Sequence, residues 1–149
     1  MQQNLDSEVG DFIVRRADLL VAYQLAVVVD DAEQEISSIV RGADLLDSTP
    51  RQLYLQKLLG LPAPDYLHLP VAVNTSADKL SKHTHARAVM TDDKNTALID
   101  ALLFLQQELP ESPHDARQSE LLQWAIDHWK PDAIHAHRIL PAPARYSAP

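Results

Sequence analysis

The chain has 149 residues, of which 46% are hydrophobic and 23% charged, the composition of a folded domain rather than a disordered segment. That length allows one ordinary domain or two small subdomains with a real core. With 13 Lys+Arg against 21 Asp+Glu the formal net charge is −8 at pH 7, which speaks against sequence-independent nucleic-acid binding and so against a DNA-binding role, while leaving room for a local basic patch.

In chain order, Asp11 to Arg16 predicts a short strand, rich in β-branched and aromatic types. Residues 19–34 read two ways. Val27-Val28-Val29 favours a strand by propensity, whereas the length of the apolar stretch without Gly or Pro favours a buried helix. Ser37 to Arg41 predicts a buried strand running into Gly42. A helix follows, with Thr49 as N-cap, Pro50 in the first turn and Gln52 completing a T-x-x-Q capping box. Leu55, Leu58 and Leu59 form its apolar face, Gly60 ends it, and Pro62 prevents resumption. Tyr66 to Val73 alternates as a strand with one buried face, and Pro70 inside it predicts an edge or a local irregularity.

Residues 74–91 are polar and loop-like. Leu98, Leu102, Leu105 and Leu109 then recur as a helical stripe that Pro110 and Pro113 break. Residues 118–130 predict a second helix burying Leu121, Leu122, Ala125 and Trp129, and the Pro/Ala-rich stretch 139–149 predicts a disordered tail. The pattern is α/β over residues 1–90, with parallel pairing and right-handed crossovers expected, and helical over 91–138.

Several chemistries drop out. No cysteine is present, so disulfides, thiol catalysis and Cys-based zinc sites are excluded within the chain, and a reducing, cytoplasmic setting is the expectation. Met1 to Gly10 is polar and does not read as a signal peptide. The longest nearly apolar run, Leu19 to Val29, is shorter than the ~20 residues a membrane span needs. Gly10, Gly42 and Gly60 are the only glycines, and they build neither a G-x-G-x-x-G nor a Walker loop. Asp30-Asp31, His83/His85 and His135/His137 lack the further ligands that a metal site requires, so no metal site is expected. Trp124 and Trp129 read as packing residues on a helix rather than base-stacking ones.

Three strings stand out together: Ala22 to Asp31 (AYQLAVVVDD), Ile39 to Gln52 (IVRGADLLDSTPRQ), and Lys79-Leu80-Ser81-Lys82, with Leu67-His68-Leu69-Pro70 ahead of the third. In order and spacing they resemble the second half of the catalytic domain of class I glutamyl-tRNA synthetases, nearest the short paralogues, the glutamyl-Q tRNA(Asp) synthetases. The resemblance covers most of residues 10–90 and, more weakly, the two later helices. It implies a Rossmann-like α/β half followed by a small helical, stem-contact-like subdomain, and a helix from Tyr23 to Asp31.

The resemblance also implies roles. Tyr23 matches a tyrosine that contacts substrate glutamate, and Arg41 an arginine that binds its carboxylate, work suited to a planar guanidinium fork. Lys79, Leu80, Ser81 and Lys82 match the KMSKS loop, with Lys82 the catalytic lysine that stabilises the ATP phosphates. The family activates glutamate with ATP, normally with Mg2+, and this branch transfers it to queuosine of tRNA(Asp). Glutamate, ATP and tRNA(Asp) are therefore the implied partners, and no membrane is among them.

Departures from the family pattern are specific. Leu19 and Glu35 stand where the family commonly has glycine. After the KLSK string the family has Gln-Asn-His, and only His85 of His83-Thr84-His85 matches. The HIGH-like motif, the first glutamate-binding residues and the zinc-binding cysteines of the family's other half have no counterpart among these residues. The expectation is a partial adenylating site, inactive as an isolated chain and completed by another half or by self-association. A non-catalytic nucleotide- or tRNA-binding paralogue is the alternative.

Overall fold

The computed structural model describes residues 3–81, 86, 88–89 and 94–146, which fall into two compact units, Met1–His68 and Leu69–Pro149. Its elements mix helices and strands, as an α/β chain should.

In the first unit, α1 (Leu5–Glu8) is capped by Asn4, whose side chain accepts from the amides of Asp6 and Ser7. The strand expected at 11–16 is instead one arm of a tight hairpin. Its pairing is a single antiparallel bridge, Arg15 to Val21, closed by Arg16 N–H to Leu20 O at 2.8 Å and Ala22 N–H to Val14 O at 2.9 Å. A strand exists only as long as its ladder lasts, and this one turns back at Leu19. The ambiguous stretch resolves as a helix, α2 (Tyr23–Glu33). Once the segment is helical, all of its backbone groups except those at the ends are paired internally, which outweighs the valines' β preference.

β1 (Ser38–Gly42) pairs with β2 (Asp65–Leu69) in a two-stranded sheet. The burial expected of β1 is not found: Val40 is 60% exposed. A strand in so small a sheet has too few neighbours to cover both faces. Between the two strands, a 3₁₀ turn (Ala43–Ser48) runs directly into α3 (Thr49–Leu59).

That continuity overturns the predicted cap. Thr49 is already helical, at φ −57° and ψ −46°, so its hydroxyl cannot cap the helix it belongs to. The expected leucine face is also corrected. α3 buries Thr49, Gln52, Leu55 and Gln56, while Leu58 is 63% exposed and Leu59 49%. Its orientation is set by polar bonds: Gln52 Nε2 donates to Gln24 Oε1 and Gln24 Nε2 to Ser48 Oγ, both at 3.0 Å. The helix ends as predicted at Gly60 (φ 66°), with Leu61 N–H bonding Gln56 O and Gly60 N–H bonding Lys57 O.

Pro70 produces the expected irregularity: it separates β2 from β3 (Val71–Val73), which pairs elsewhere. β3 runs parallel to β4 (Ile139–Pro141), with Val71 opposite Ile139 and Val73 opposite Pro141. The tail read as disordered is therefore structured as far as Tyr146. Ala142 N–H continues the pairing onto Val73 O, and Arg145 forms an ion pair with Asp100 at 2.9 Å. Proline is tolerated in β4 because a two-stranded sheet makes it an edge strand, and in this register it is the next amide, Ala142 N–H, that bonds Val73 O.

α4 (Lys94–Phe104) and α5 (Gln118–Asp127) pack through Ile99, Leu102 and Leu121, with Leu98, Leu109 and Ala125 against them. Both are shorter than their sequence stripes. α4 ends in a left-handed Gln106 (φ 59°), leaving Leu109 to reach the core from the following segment. Leu121 on α5 is fully buried, but Leu122 is 45% exposed, and Trp129, beyond the end of the helix, is 40% exposed. Gln107 closes this end of the unit: its Nε2 donates to the Lys130 carbonyl at 3.1 Å and its Oε1 accepts from the Lys130 N–H at 2.8 Å.

Candidate substrate site

In the first unit, Tyr23 opens α2 and is half exposed. The next residue, Gln24, ties this helix end to Ser48, immediately before Thr49. Arg41 lies in β1 and reaches the start of α3. Its Nη2 donates to Thr49 Oγ1 at 2.7 Å and to Leu45 O at 3.4 Å, and its Nε donates to His68 Nε2 at 3.3 Å. Beneath it lies the Tyr66 ring, 5.0 Å from the guanidinium carbon. These partners are all neutral acceptors or a π face, so they hold the guanidinium without cancelling its charge. A guanidinium held in this way is suited to meeting a carboxylate.

His68 completes the arrangement. Its Nε2 lies 2.9 Å from Thr49 Oγ1, and its ring stacks on Tyr66 with centroids 6.1 Å apart and planes 8° from parallel. Burial, and secondarily the Arg41 charge, push the imidazole below its ordinary pKa. A neutral ring is what the geometry requires, because an arginine Nε can only donate.

In the second unit, Lys79, Leu80 and Ser81 follow a tight loop after β3. Asn74 Oδ1 accepts from the amides of Ser76 and Asp78 at 3.0 and 2.9 Å, Lys79 bridges back to Val73, and Leu80 N–H bonds Ala72 O at 3.0 Å. The loop is anchored to β3 by its backbone and leaves Lys79 exposed. Leu80 and Ser81 also line an open, mainly apolar cleft of about 480 Å³ with Ala72, Ala101, Phe104 and Tyr146. Lys82, the predicted catalytic residue, lies outside the described residues, as do His83 and His85. The structure thus places Tyr23 and Arg41 in one unit and the Lys79–Ser81 loop in the other.

Thr49, Tyr66 and His68 were not identified as site residues from sequence. Thr49 reads as a helix cap, and His68 as one polar residue of an alternating strand. The available signal was positional: both lie in strings that also carry predicted site residues or directly precede them.

Residues 2–106 match the family described as tRNA synthetases class I (E and Q), catalytic domain, and the chain belongs to that family. Among curated proteins it is 51% identical over 144 residues to the glutamyl-Q tRNA(Asp) synthetase of Thiobacillus denitrificans (strain ATCC 25259 / T1), covering 97% of this chain and 48% of that protein. It is 50% identical over 142 residues to the protein of the same name from Dechloromonas aromatica (strain RCB), covering 95% of the chain and 47% of the relative. The chain therefore spans about half the length of the curated relatives it matches, corresponding to their C-terminal part. Among solved structures, the glutamate-tRNA synthetase of Elizabethkingia anophelis superposes with a TM-score of 0.64 at 18% identity, over 91% of this chain and 31% of that one. A glutamate tRNA ligase from Elizabethkingia meningosepticum CCUG26117 gives a TM-score of 0.56 at 21% identity, over 91% and 30%. At these identities the structural likeness speaks for the fold.

Proposed function

We propose that this chain is the C-terminal part of a glutamyl-Q tRNA(Asp) synthetase, comprising half of its Rossmann-like catalytic domain and a helical subdomain. The observation that carries the reading is the Arg41 guanidinium, held by neutral partners and left with its charge, in a chain about half identical to enzymes of that name. Arg41 holds the substrate glutamate by a carboxylate, and Tyr23 contacts the same substrate. Lys79-Leu80-Ser81-Lys82 forms the ATP loop. In the reaction, a glutamate carboxylate oxygen attacks the α-phosphorus of ATP and pyrophosphate leaves. Lys82 stabilises the charge that grows on the phosphate oxygens, a contribution of about 3–4 kcal/mol by analogy with other preorganised donors. Magnesium would enter with the ATP phosphates. Among the described residues no cluster of three or more His, Asp or Glu could hold a metal ion. Activated glutamate then passes to queuosine of tRNA(Asp).

Approximation requires both reactants to be held against the reacting centre, and the chain has no H-x-G-H string to form the facing wall. The 149-residue chain alone is therefore expected to show no glutamate-dependent ATP–pyrophosphate exchange. Adding a polypeptide that carries the family's HIGH-containing half should produce exchange. Lys82→Ala should then reduce kcat by about 10²–10³, and Arg41→Ala should raise KM for glutamate. Exchange in the mixture that neither substitution alters would overturn these assignments. Exchange by the chain alone would overturn its incompleteness.

A further inference from the structure

Arg41, Thr49, Tyr66 and His68 make a closed cluster within the first unit. The Nε and Nη2 donors of Arg41 face two acceptors, His68 Nε2 at 3.3 Å and Thr49 Oγ1 at 2.7 Å, and those two atoms are 2.9 Å from each other. The Arg41 Nε always carries hydrogen, so the His68 Nε2 facing it presents its lone pair. The ring proton is then on Nδ1, and the Thr49 hydroxyl donates either to this nitrogen or to Leu45 O at 3.5 Å. Tyr66 lies against both the guanidinium and the imidazole, so neither plane can tilt freely. None of these bonds uses Nη1.

We propose that His68 is a positioning residue for Arg41. With Thr49 it occupies the Nε–Nη2 edge of the guanidinium, fixes its rotation, and leaves the Nη1 end to meet a carboxylate. The carboxylate part rests on the function proposed above, whereas the alignment of Arg41 does not.

A pH dependence follows from the geometry. Protonation would turn Nε2 from acceptor to donor, remove the bond to Arg41 and set two cations side by side. Among the described residues, the charged or titratable groups against His68 are Arg41 from β1 and Tyr66 from β2, and α3 contributes the neutral Thr49. Because the folded pKa is depressed, the ring is neutral at pH 7. The stability that the neutral ring confers is present in full above the unfolded value of about 6.5 and declines as pH falls below it. Arg41 alignment should decline over the same range.

The test is NMR on the uniformly labelled full chain. At neutral pH the His68 nitrogens should report the Nδ1–H tautomer. As pH is lowered from about 7.5 through the depressed titration of His68, below its ordinary value of about 6.5, the Arg41 Nε–Hε resonance should move with the same midpoint as the His68 ring. His68→Gln supplies an acceptor that does not titrate, so it should keep the Arg41 signal and abolish its pH dependence. His68→Leu should lose the signal's distinct position, and the Gln variant serves as the arbiter if the Leu variant does not fold. An Nε2–H tautomer, or an Arg41 resonance indifferent to the ionisation of His68, would overturn the proposal. A parallel titration with glutamate separates the two layers. On the proposed function, affinity falls about tenfold or more on acidification in the wild type, as expected for losing a charge-assisted bond, but not in His68→Gln. Coupled resonances without any glutamate binding would leave the positioning role intact and overturn the carboxylate reading.

Discussion

Leu19 and Glu35 occupy left-handed backbone, at φ 69° and 55°. These are the two positions at which the sequence departs from a glycine usual in the family it resembles. The hairpin fixes Leu19: its N–H bonds Arg16 O, its carbonyl accepts from Arg15 Nε, and the neighbouring Leu20 N–H bonds the Asp18 carboxylate. At Glu35, the N–H bonds Ala32 O as α2 ends. An L side chain in this conformation costs about 1–2 kcal/mol, partly offset by the extra unfolded-state freedom that glycine brings, about 0.5–1 kcal/mol. Leu19→Gly and Glu35→Gly should therefore each stabilise the chain by up to about 1 kcal/mol. Urea titration followed by circular dichroism should show a higher midpoint at unchanged slope. Gly60→Ala at φ 66°, where an added Cβ meets nothing within 4 Å, should shift the midpoint the other way through backbone strain alone.

Among the elements, α3 is the instructive case. An apolar stripe is a good guide to a helix's buried face when the neighbouring surface is apolar, but α2 offers α3 the Gln24 amide. Gln52, fully buried, matches it, and Leu58 is left outside. Losing one partner strands the other's buried polar group, at about 1–3 kcal/mol. Gln52→Ala and Gln24→Ala should each destabilise by an amount in that range. The double variant should cost clearly less than the sum, and a double-mutant cycle in urea measures the difference. Additive losses would mean that the amide pair does not orient the helix. β4 teaches the complementary point: composition marks residues 139–149 as a tail, yet an extended segment needs only a partner edge, and β3 supplies one.

At the scale of the whole molecule, the candidate residues are divided between two units, each with its own packing. If the units are separately cooperative, deleting residues 139–149 should act on one of them. Hydrogen–deuterium exchange should then rise at Val71 to Val73, which lose their parallel partner, and in α4, whose Asp100 loses Arg145. Ser38 to Gly42 should keep its protection. Faster exchange throughout would mean that the tail supports the chain as one cooperative body.

Sequence alone determined the family, because strings such as Arg41 to Gln52 and Lys79 to Lys82 are specific in order and spacing whatever their surroundings. It also determined what local chemistry controls: the stop at Gly60, the break at Pro70, and the unusual character of positions 19 and 35. Only the tertiary structure decided which face of α3 is buried, that the final segment pairs as a strand, and that Thr49 and His68 hold Arg41. The physical reason is the same in each case. A turn or a cap is set by the residues that make it, whereas burial, strand pairing and the alignment of a guanidinium depend on partners far away in the chain, whose positions no local pattern encodes.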